Sequence, residues 1–120
     1  MYRVYYAGKR SVPMVNETNT ARTDFGNLIC DLQMGWEFYS EYHNNRDFNL
    51  SETHTLVGVV SYDTPESAWI ALQGENVSPE FAEFIRLSDA THTSMSVGDV
   101  LVEVETGKHF FCDRIGFKEI

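Results

Sequence analysis

Lysine is scarce in this chain of 120 residues, and none occurs between Lys9 and Lys108. Nine Lys and Arg residues stand against eighteen Asp and Glu residues, which gives a formal net charge of −9. An acidic surface repels the phosphates of nucleic acid and the headgroups of anionic membranes. The composition therefore argues against direct binding to nucleic acid or to a membrane.

Long apolar segments are also missing, so no stretch of the sequence is suited to span a bilayer. The N-terminal residues MYRVYYAGKR contain no apolar signal core, and we expect no secretory signal and a cytoplasmic location. The two cysteines, Cys30 and Cys112, form no CxxC pair, so we expect reduced, unpaired thiols. Because the four histidines share no metal-ligand spacing, we also expect no metal and no cofactor.

Hydrophobic residues make up 42% of the chain, which is enough for the core of one domain over residues 1–120. The residue pattern predicts a first strand over Tyr2–Ala7 and a second over Thr53–Tyr62. The second is rich in β-branched residues and nearly continuous in apolar ones, which predicts a central strand covered on both faces. We therefore expect four of its side chains in the core: Leu56, Val57, Val59 and Val60.

Two helix starts are marked by a hydroxyl residue followed by proline, at Thr64-Pro65 and Ser78-Pro79. A third helix is predicted over residues 23–39 from its apolar spacing, although the alternation after Gly35 is also typical of a strand. The last quarter reads as a β-hairpin, with a two-residue turn at Thr106-Gly107. This order predicts an α+β fold, a small antiparallel or mixed sheet with three short helices packed on it.

The stretch THTSMSVGDV over residues 91–100, followed by a hairpin and by GFKE at residues 116–119, resembles a known signature. It is similar to the C-terminal S-x-S-V-G-D…GF pattern of small proteins from phages, plasmids and conjugative elements, of which the YodL-like domain is one family. The resemblance covers roughly the C-terminal half of the chain. It implies a phage or mobile-element setting and implies no particular reaction.

Polar residues of the signature loop support two interpretations. Asp99 can cap a turn by accepting backbone amides two positions on, and the serines can do the same. The alternative is a polar pocket that binds a ligand or carries out catalysis. The residues of this loop are His92, Ser94, Ser96, Gly98 and Asp99.

Acidic residues are concentrated in the middle of the chain, where residues 47–105 contain eleven of them and one basic residue, Arg86. Such a segment is typical of a solvated face that keeps the protein soluble, and the alternative is a surface that attracts a basic partner. An aromatic cluster around Trp36 is expected at the core and rim, with an interface anchor as the alternative. The candidate partner-binding residues are Glu66, Glu75, Glu80, Glu83, Asp89 and Trp36.

Three functions are compatible with these features. The favoured hypothesis is a non-enzymatic phage or mobile-element protein that binds a host or partner protein with a basic surface. The second is a small ligand-binding domain or enzyme with a polar pocket near His92 and Asp99. The third is a virion-associated protein that assembles with copies of itself, and a homodimer is compatible with the sequence.

Overall fold

A computed structural model describes residues 1–8, 32–42, 50–88 and 94–120 of the chain, and these residues form an α+β fold. At its centre lies an antiparallel sheet of five strands in the order β2-β1-β3-β4-β5. The strands are β1 (Tyr2–Ala7), β2 (His54–Val60), β3 (Val100–Glu103), β4 (His109–Cys112) and β5 (Phe117–Glu119). The predicted fold class is confirmed, and the chain ends in a hairpin made by β4 and β5.

Besides the helical residues Leu32 and Gln33, four α-helical segments accompany the sheet in the described residues. Helix α1 covers Trp36–Tyr42, and α2 is a single turn over Leu50–Thr53. Helices α3 (Pro65–Ala71) and α4 (Pro79–Leu87) follow β2 and are separated by a 3-10 turn. Among these residues, no helix has the length and apolar character needed to cross a membrane.

The starts of α3 and α4 confirm the prediction from the sequence. The Thr64 hydroxyl oxygen accepts the Ser67 backbone N–H at 3.1 Å, and the Ser78 hydroxyl oxygen accepts that of Phe81 at 3.2 Å. In each helix proline occupies the first turn, where its missing N–H leaves no hydrogen bond unmade.

Helices pack on both faces of the sheet, and the strand alternation divides the core accordingly. Helices α3 and α4 bury Ala68, Leu72 and Ile85 against one face, to which Leu101 of β3 belongs. On the other face, α1 packs against Val100 and Val102, which stand on either side of Leu101 in β3. Because successive strand residues point to opposite faces, this short strand contributes to both halves of the core.

The second strand lies at an edge of the sheet, so the prediction of a central, doubly covered strand is wrong. Val57 is buried, Val60 is half-buried, and Leu56 and Val59 are 45% and 49% exposed. The β-branched composition of β2 predicts strand structure correctly, but it does not report how many neighbours the strand has. In the described residues, β2 pairs with one strand, β1, and only along one of its two sides.

A register shift in the β1–β2 pair accounts for the burial of Val57. Val4 pairs with Gly58 and Tyr5 pairs with Leu56, so Val57 is an extra residue in β2. Such a bulge lets neighbouring residues lie toward the same face. Gly58 lies directly under the Phe81 ring, and a Cβ added there would be 2.4 Å from Phe81 Cε2.

The helix predicted over residues 23–39 is interrupted at Met34 and Gly35, near the start of its described part. Leu32 and Gln33 are helical, Met34 is a turn, and Gly35 has a φ of +108°, after which α1 begins. Glycine tolerates this left-handed conformation, so it allows the chain to change direction. The strand alternative for the residues after Gly35 is wrong.

Trp36 is a core residue, which contradicts its selection as a partner-binding anchor. It is 8% exposed, and its ring lies 5.2 Å from that of Phe111 and 5.4 Å from that of Tyr39. The start of α1 places the indole against the sheet, so its apolar area is used in folding.

The β3–β4 connection is longer than the predicted two-residue turn. β3 ends at Glu103 and β4 begins at His109, and Gly107 N–H donates to the Glu103 carbonyl at 2.7 Å. A two-residue turn would have required positive φ at Thr106, whereas in the longer turn Gly107 adopts it, with φ +75°.

Candidate functional site

Asp99 of the signature loop is fully buried, and both of its carboxylate oxygens accept backbone hydrogen bonds. Oδ1 accepts from Ala7 N at 2.8 Å, and Oδ2 accepts from Ser96 N at 2.7 Å. The sequence suggested amides two positions further on, whereas the observed donors are an earlier loop residue and the end of β1. The carboxylate therefore fastens the loop to β1.

Three further contacts hold the start of the signature loop against the C-terminal end of α3. Ser94 Oγ accepts the Gly74 N–H at 2.8 Å, and Met95 N donates to the Leu72 carbonyl at 3.0 Å. Gln73 Nε2 donates to the Met95 carbonyl at 2.7 Å. Ser96 is exposed, and His92 lies outside the described residues.

A buried histidine that the sequence did not single out supports the same loop. His54, at the start of β2, lies with Nε2 at 2.7 Å from the Gly98 carbonyl and Nδ1 at 2.6 Å from Thr53 Oγ1. Because a carbonyl only accepts, Nε2 carries a proton in this arrangement. Gly98 has a φ of +101°, which favours glycine, and a Cβ there would make a tight contact of 3.2 Å with the Leu32 carbonyl carbon.

A cavity of about 610 Å³ opens between α3, the signature loop and the β4–β5 hairpin. Its walls include the side chains of Trp69, Ile70, Val97 and Phe117, and the buried residues Met95 and Cys112 also line it. Glu66 on α3, Asp113 after β4 and Arg114 also line it, and the Asp113 carboxylate accepts the Trp36 N–H at 3.4 Å, on the side of α1. We call this space the α3 cavity.

The Cys112 thiol in this cavity is free and stays protonated at neutral pH. Burial raises its pKa to about 12, with smaller contributions from the negative charges of Asp99 and Asp113, against an opposing hydrogen bond with Trp69. Because the thiolate is the nucleophilic form of cysteine, this side chain serves as an apolar wall rather than as a reactive group. The other cysteine that was expected to be reduced and unpaired, Cys30, lies outside the described residues.

The structure places four of the five candidate carboxylates on the solvent side of the α3–α4 segment. Glu66, Glu75, Glu80 and Glu83 are exposed, and Asp89 lies outside the described residues. Glu83 is held by both Nε and NH2 of Arg86, at 3.0 and 2.6 Å, and this interaction lowers the Glu83 pKa.

A second group of carboxylates, which the sequence did not reveal, acts on the Tyr2 side chain at the start of β1. The hydroxyl donates to the Asp63 carbonyl at 3.4 Å. The Tyr2 pKa is raised, first by burial and then by four negative charges. We call these residues the acidic end of the fold: Glu103, Glu105, Glu66 and Asp63.

The acidic end cannot be identified from the sequence alone, because its members come from two segments that the sheet brings together. Asp63 and Glu66 lie at the start of α3, and Glu103 and Glu105 lie at the end of β3 and in the turn that follows. Strand β1 separates β2 from β3 in the sheet and carries Tyr2 between them.

These surroundings favour non-covalent binding: an apolar cavity lies next to exposed carboxylates, and Glu66 belongs to both. In the four described ranges, no group of three His, Cys, Asp or Glu side chains is arranged to hold a metal ion. Comparisons of the chain with protein-family models, with curated proteins and with solved structures find no match.

Proposed function

We propose that this protein binds a basic protein partner through the acidic end of its fold and does not catalyse a reaction. The supporting observation is that the sheet pairs Tyr2 with Glu103 and that the Tyr2 hydroxyl donates to the Asp63 carbonyl, where four negative charges together raise the Tyr2 pKa. Carboxylates held close together strengthen the local negative potential, which speeds encounter with a positively charged surface and disfavours acidic partners. A second copy of this chain presents the same negative charge there, so we propose a different protein as the partner.

Few positive charges neutralise this surface. The ammonium of Met1 lies 3.3 Å from Glu105 Oε1, and both groups are largely exposed. Within the part of the chain that the structure describes, Asp63, Glu66 and Glu80 form no ion pair. Exposed carboxylates without counter-charges keep their full charge for a partner, whereas pairing with lysine or arginine would have cancelled it.

The proposed setting is a phage or mobile element whose product acts in the cytoplasm of the host cell. Support comes from the resemblance of residues 91–100 and 116–119 to the signature of such proteins. A small acidic protein with a preformed surface suits the task of engaging a basic region of a host protein.

A labelled Lys-rich peptide tests the proposed function through fluorescence anisotropy over a range of salt concentrations. Because the Debye length shortens from roughly 10 Å at 0.1 M to about 3 Å at 1 M, we expect affinity to fall at least about tenfold between roughly 50 and 500 mM salt. The double variant Asp63→Lys/Glu66→Lys should lose binding at low salt while keeping its melting temperature, because both side chains are exposed.

The matched control reverses two charges on the opposite face of the sheet, Glu37→Lys/Glu41→Lys on α1. Both glutamates are exposed, and the net charge changes by the same amount as in the test variant. If the control loses as much affinity as the test variant, the peptide responds to overall charge only and the proposed surface is wrong.

A further inference from the structure

The α3 cavity lies beside the acidic end and shares Glu66 with it. We propose that this cavity receives one bulky apolar side chain from a basic segment of the partner, while lysines or arginines next to that side chain contact the carboxylates. The inference rests on the proposed function, because it names the kind of segment that the acidic surface binds.

The cavity has ample room for such a side chain, and the residues at its base are apolar. Its volume of about 610 Å³ lies within the range of roughly 300–1,000 Å³ that is typical of ligand pockets. The base is apolar and uncharged, because Met95 and the protonated thiol of Cys112 lie there. A charged or strongly polar group would lose its hydration at this base without gaining a hydrogen-bond partner, whereas an apolar group would not.

Helix α3 exposes more apolar surface at this cavity than folding requires. Its core-facing residues are Ala68 and Leu72, while Trp69 and Ile70 line the cavity and are 39% and 58% exposed. Covering these two side chains with an apolar group of the partner would remove their surface from water. This gain is proportional to the apolar area covered and supplies affinity that charge alone does not.

The walls of the cavity are held in place by hydrogen bonds, so binding requires little rearrangement. Gln73 Nε2 donates to the Met95 carbonyl at 2.7 Å, which joins α3 to the signature loop. Gly98 N donates to the Cys112 carbonyl at 3.0 Å, which joins the loop to β4. A preformed site avoids the entropy loss that ordering a flexible one would add.

Charge at the rim selects a basic segment. Glu66 borders the cavity and also contributes to the potential around Tyr2, so a cation beside the inserted side chain meets several carboxylates. Arg114 is the cation among the residues that line the cavity. Its Cγ and Cδ lie 3.3 Å from the position of a Cβ on Gly35, so its stem is directed toward α1.

Three short peptides with blocked ends separate the apolar contribution from the charge contribution. The probes are Lys-Lys-Phe-Lys-Lys, Lys-Lys-Ala-Lys-Lys and Gly-Gly-Phe-Gly-Gly, each titrated into isotopically labelled protein while backbone amide shifts are recorded. We expect the first peptide to bind at least about fivefold more tightly than the second, because its ring is buried in the cavity. Its additional shifts should map to Ile70, Val97 and Phe117.

A wall variant and a matched control locate the preference. Ile70→Gln should abolish the advantage of phenylalanine over alanine and leave binding of the alanine peptide unchanged, because net charge is preserved. Leu87→Gln makes the same kind of change at an exposed apolar residue of α4 that lines a different groove, and it should preserve the advantage.

Each outcome bears on one proposal or on both. If the two lysine peptides bind equally and shift only residues of the acidic end, the cavity proposal is wrong and the proposed function stands. If the glycine peptide binds as tightly as Lys-Lys-Phe-Lys-Lys, the cavity takes apolar groups without charge selection, which overturns both proposals. Absence of binding by all three peptides also overturns both.

Discussion

Asp99 and Ala7 are joined by a hydrogen bond of 2.8 Å from the Ala7 backbone N–H to Asp99 Oδ1, across 92 positions of sequence. The second oxygen of the same carboxylate accepts the Ser96 N–H at 2.7 Å. One side chain thus satisfies two backbone donors and connects β1 to the signature loop. The loop in turn lines the α3 cavity, so this carboxylate supports the candidate site from inside the core.

Replacing Asp99 should reduce stability strongly, because hydrogen bonds to a charged acceptor contribute about 1.5–3 kcal/mol each. We expect Asp99→Ala to lower the free energy of unfolding by about 3 kcal/mol or more, measured by urea denaturation. Asp99→Asn keeps one acceptor oxygen and should lose about half as much. As a control, Asp63→Ala at an exposed position should change stability by less than about 0.5 kcal/mol, and equal losses in all three variants would contradict this assignment.

The two valines of β2 that flank Gly58 should respond differently to a charge. Val57→Asp places an unpaired carboxylate in the core, and we expect it to destabilise the fold by about 3–5 kcal/mol. Val59→Asp leaves the carboxylate in contact with water and should cost about 1 kcal/mol, mainly through lower strand propensity. Thermal unfolding of both variants compares them directly. An unfolded Val59→Asp variant would show that β2 is covered in solution.

The contact between Gly58 and Phe81 predicts a steric conflict with a specific remedy. In Gly58→Ala the new Cβ would lie 2.4 Å from Phe81 Cε2, so the ring must move. We expect a loss of about 1–3 kcal/mol, typical of overpacking. Adding Phe81→Leu should cost less in the Gly58→Ala background than in the native chain, and a double-mutant cycle measures this coupling. Additive effects would mean that the two residues do not compete for space.

Cys112 should resist alkylation in the folded protein. In a Cys30→Ser background, we expect iodoacetamide at about pH 8 to leave the native thiol unmodified and to modify it fully in urea, because burial raises its pKa to about 12. Mass spectrometry of the native and the unfolded samples measures the fraction of Cys112 that is alkylated. Rapid modification of the native protein would show that the thiol is accessible and ionised.

The same raised pKa predicts a loss of stability in alkaline solution. The unfolded thiol ionises around its ordinary pKa of 9.0, whereas the folded one stays protonated to about 12. The contribution of the buried thiol to the free energy of unfolding is therefore complete below about pH 9, and it is lost as the pH rises toward 12. We expect the free energy of unfolding to fall by about 1 kcal/mol more between pH 8 and 10 in the native chain than in Cys112→Ala. Identical slopes for the two proteins would contradict the burial of the thiol.

Much of the local structure follows from the order of residues along the chain. Thr64 and Ser78 cap their helices as predicted, because a cap depends on a hydroxyl and on amides only three positions away. The strand at Tyr2–Ala7 is likewise where the residue pattern predicts it. The break at Gly35 was harder to predict from the sequence, because a glycine weakens a helix on average without fixing where it ends.

The candidate site was predictable in part. The exposed glutamates of α3 and α4 follow from helix geometry, because residues away from the apolar stripe face water. The acidic end was not predictable, because Glu103 and Glu105 approach Asp63 and Glu66 only through the order of the strands. Asp99 was identified as a turn-capping residue, but the donor on β1 depends on a contact across the fold.

The sequence by itself determined the α+β class, the capped starts of two helices and the acidity of the middle segment. Tertiary structure decided that β2 lies at an edge, that Trp36 is buried, and that Glu66 joins a cavity to a group of carboxylates. The physical reason is the range of the interactions involved. Caps and alternation act over a few residues, whereas burial and charge clustering depend on which segments the sheet places side by side.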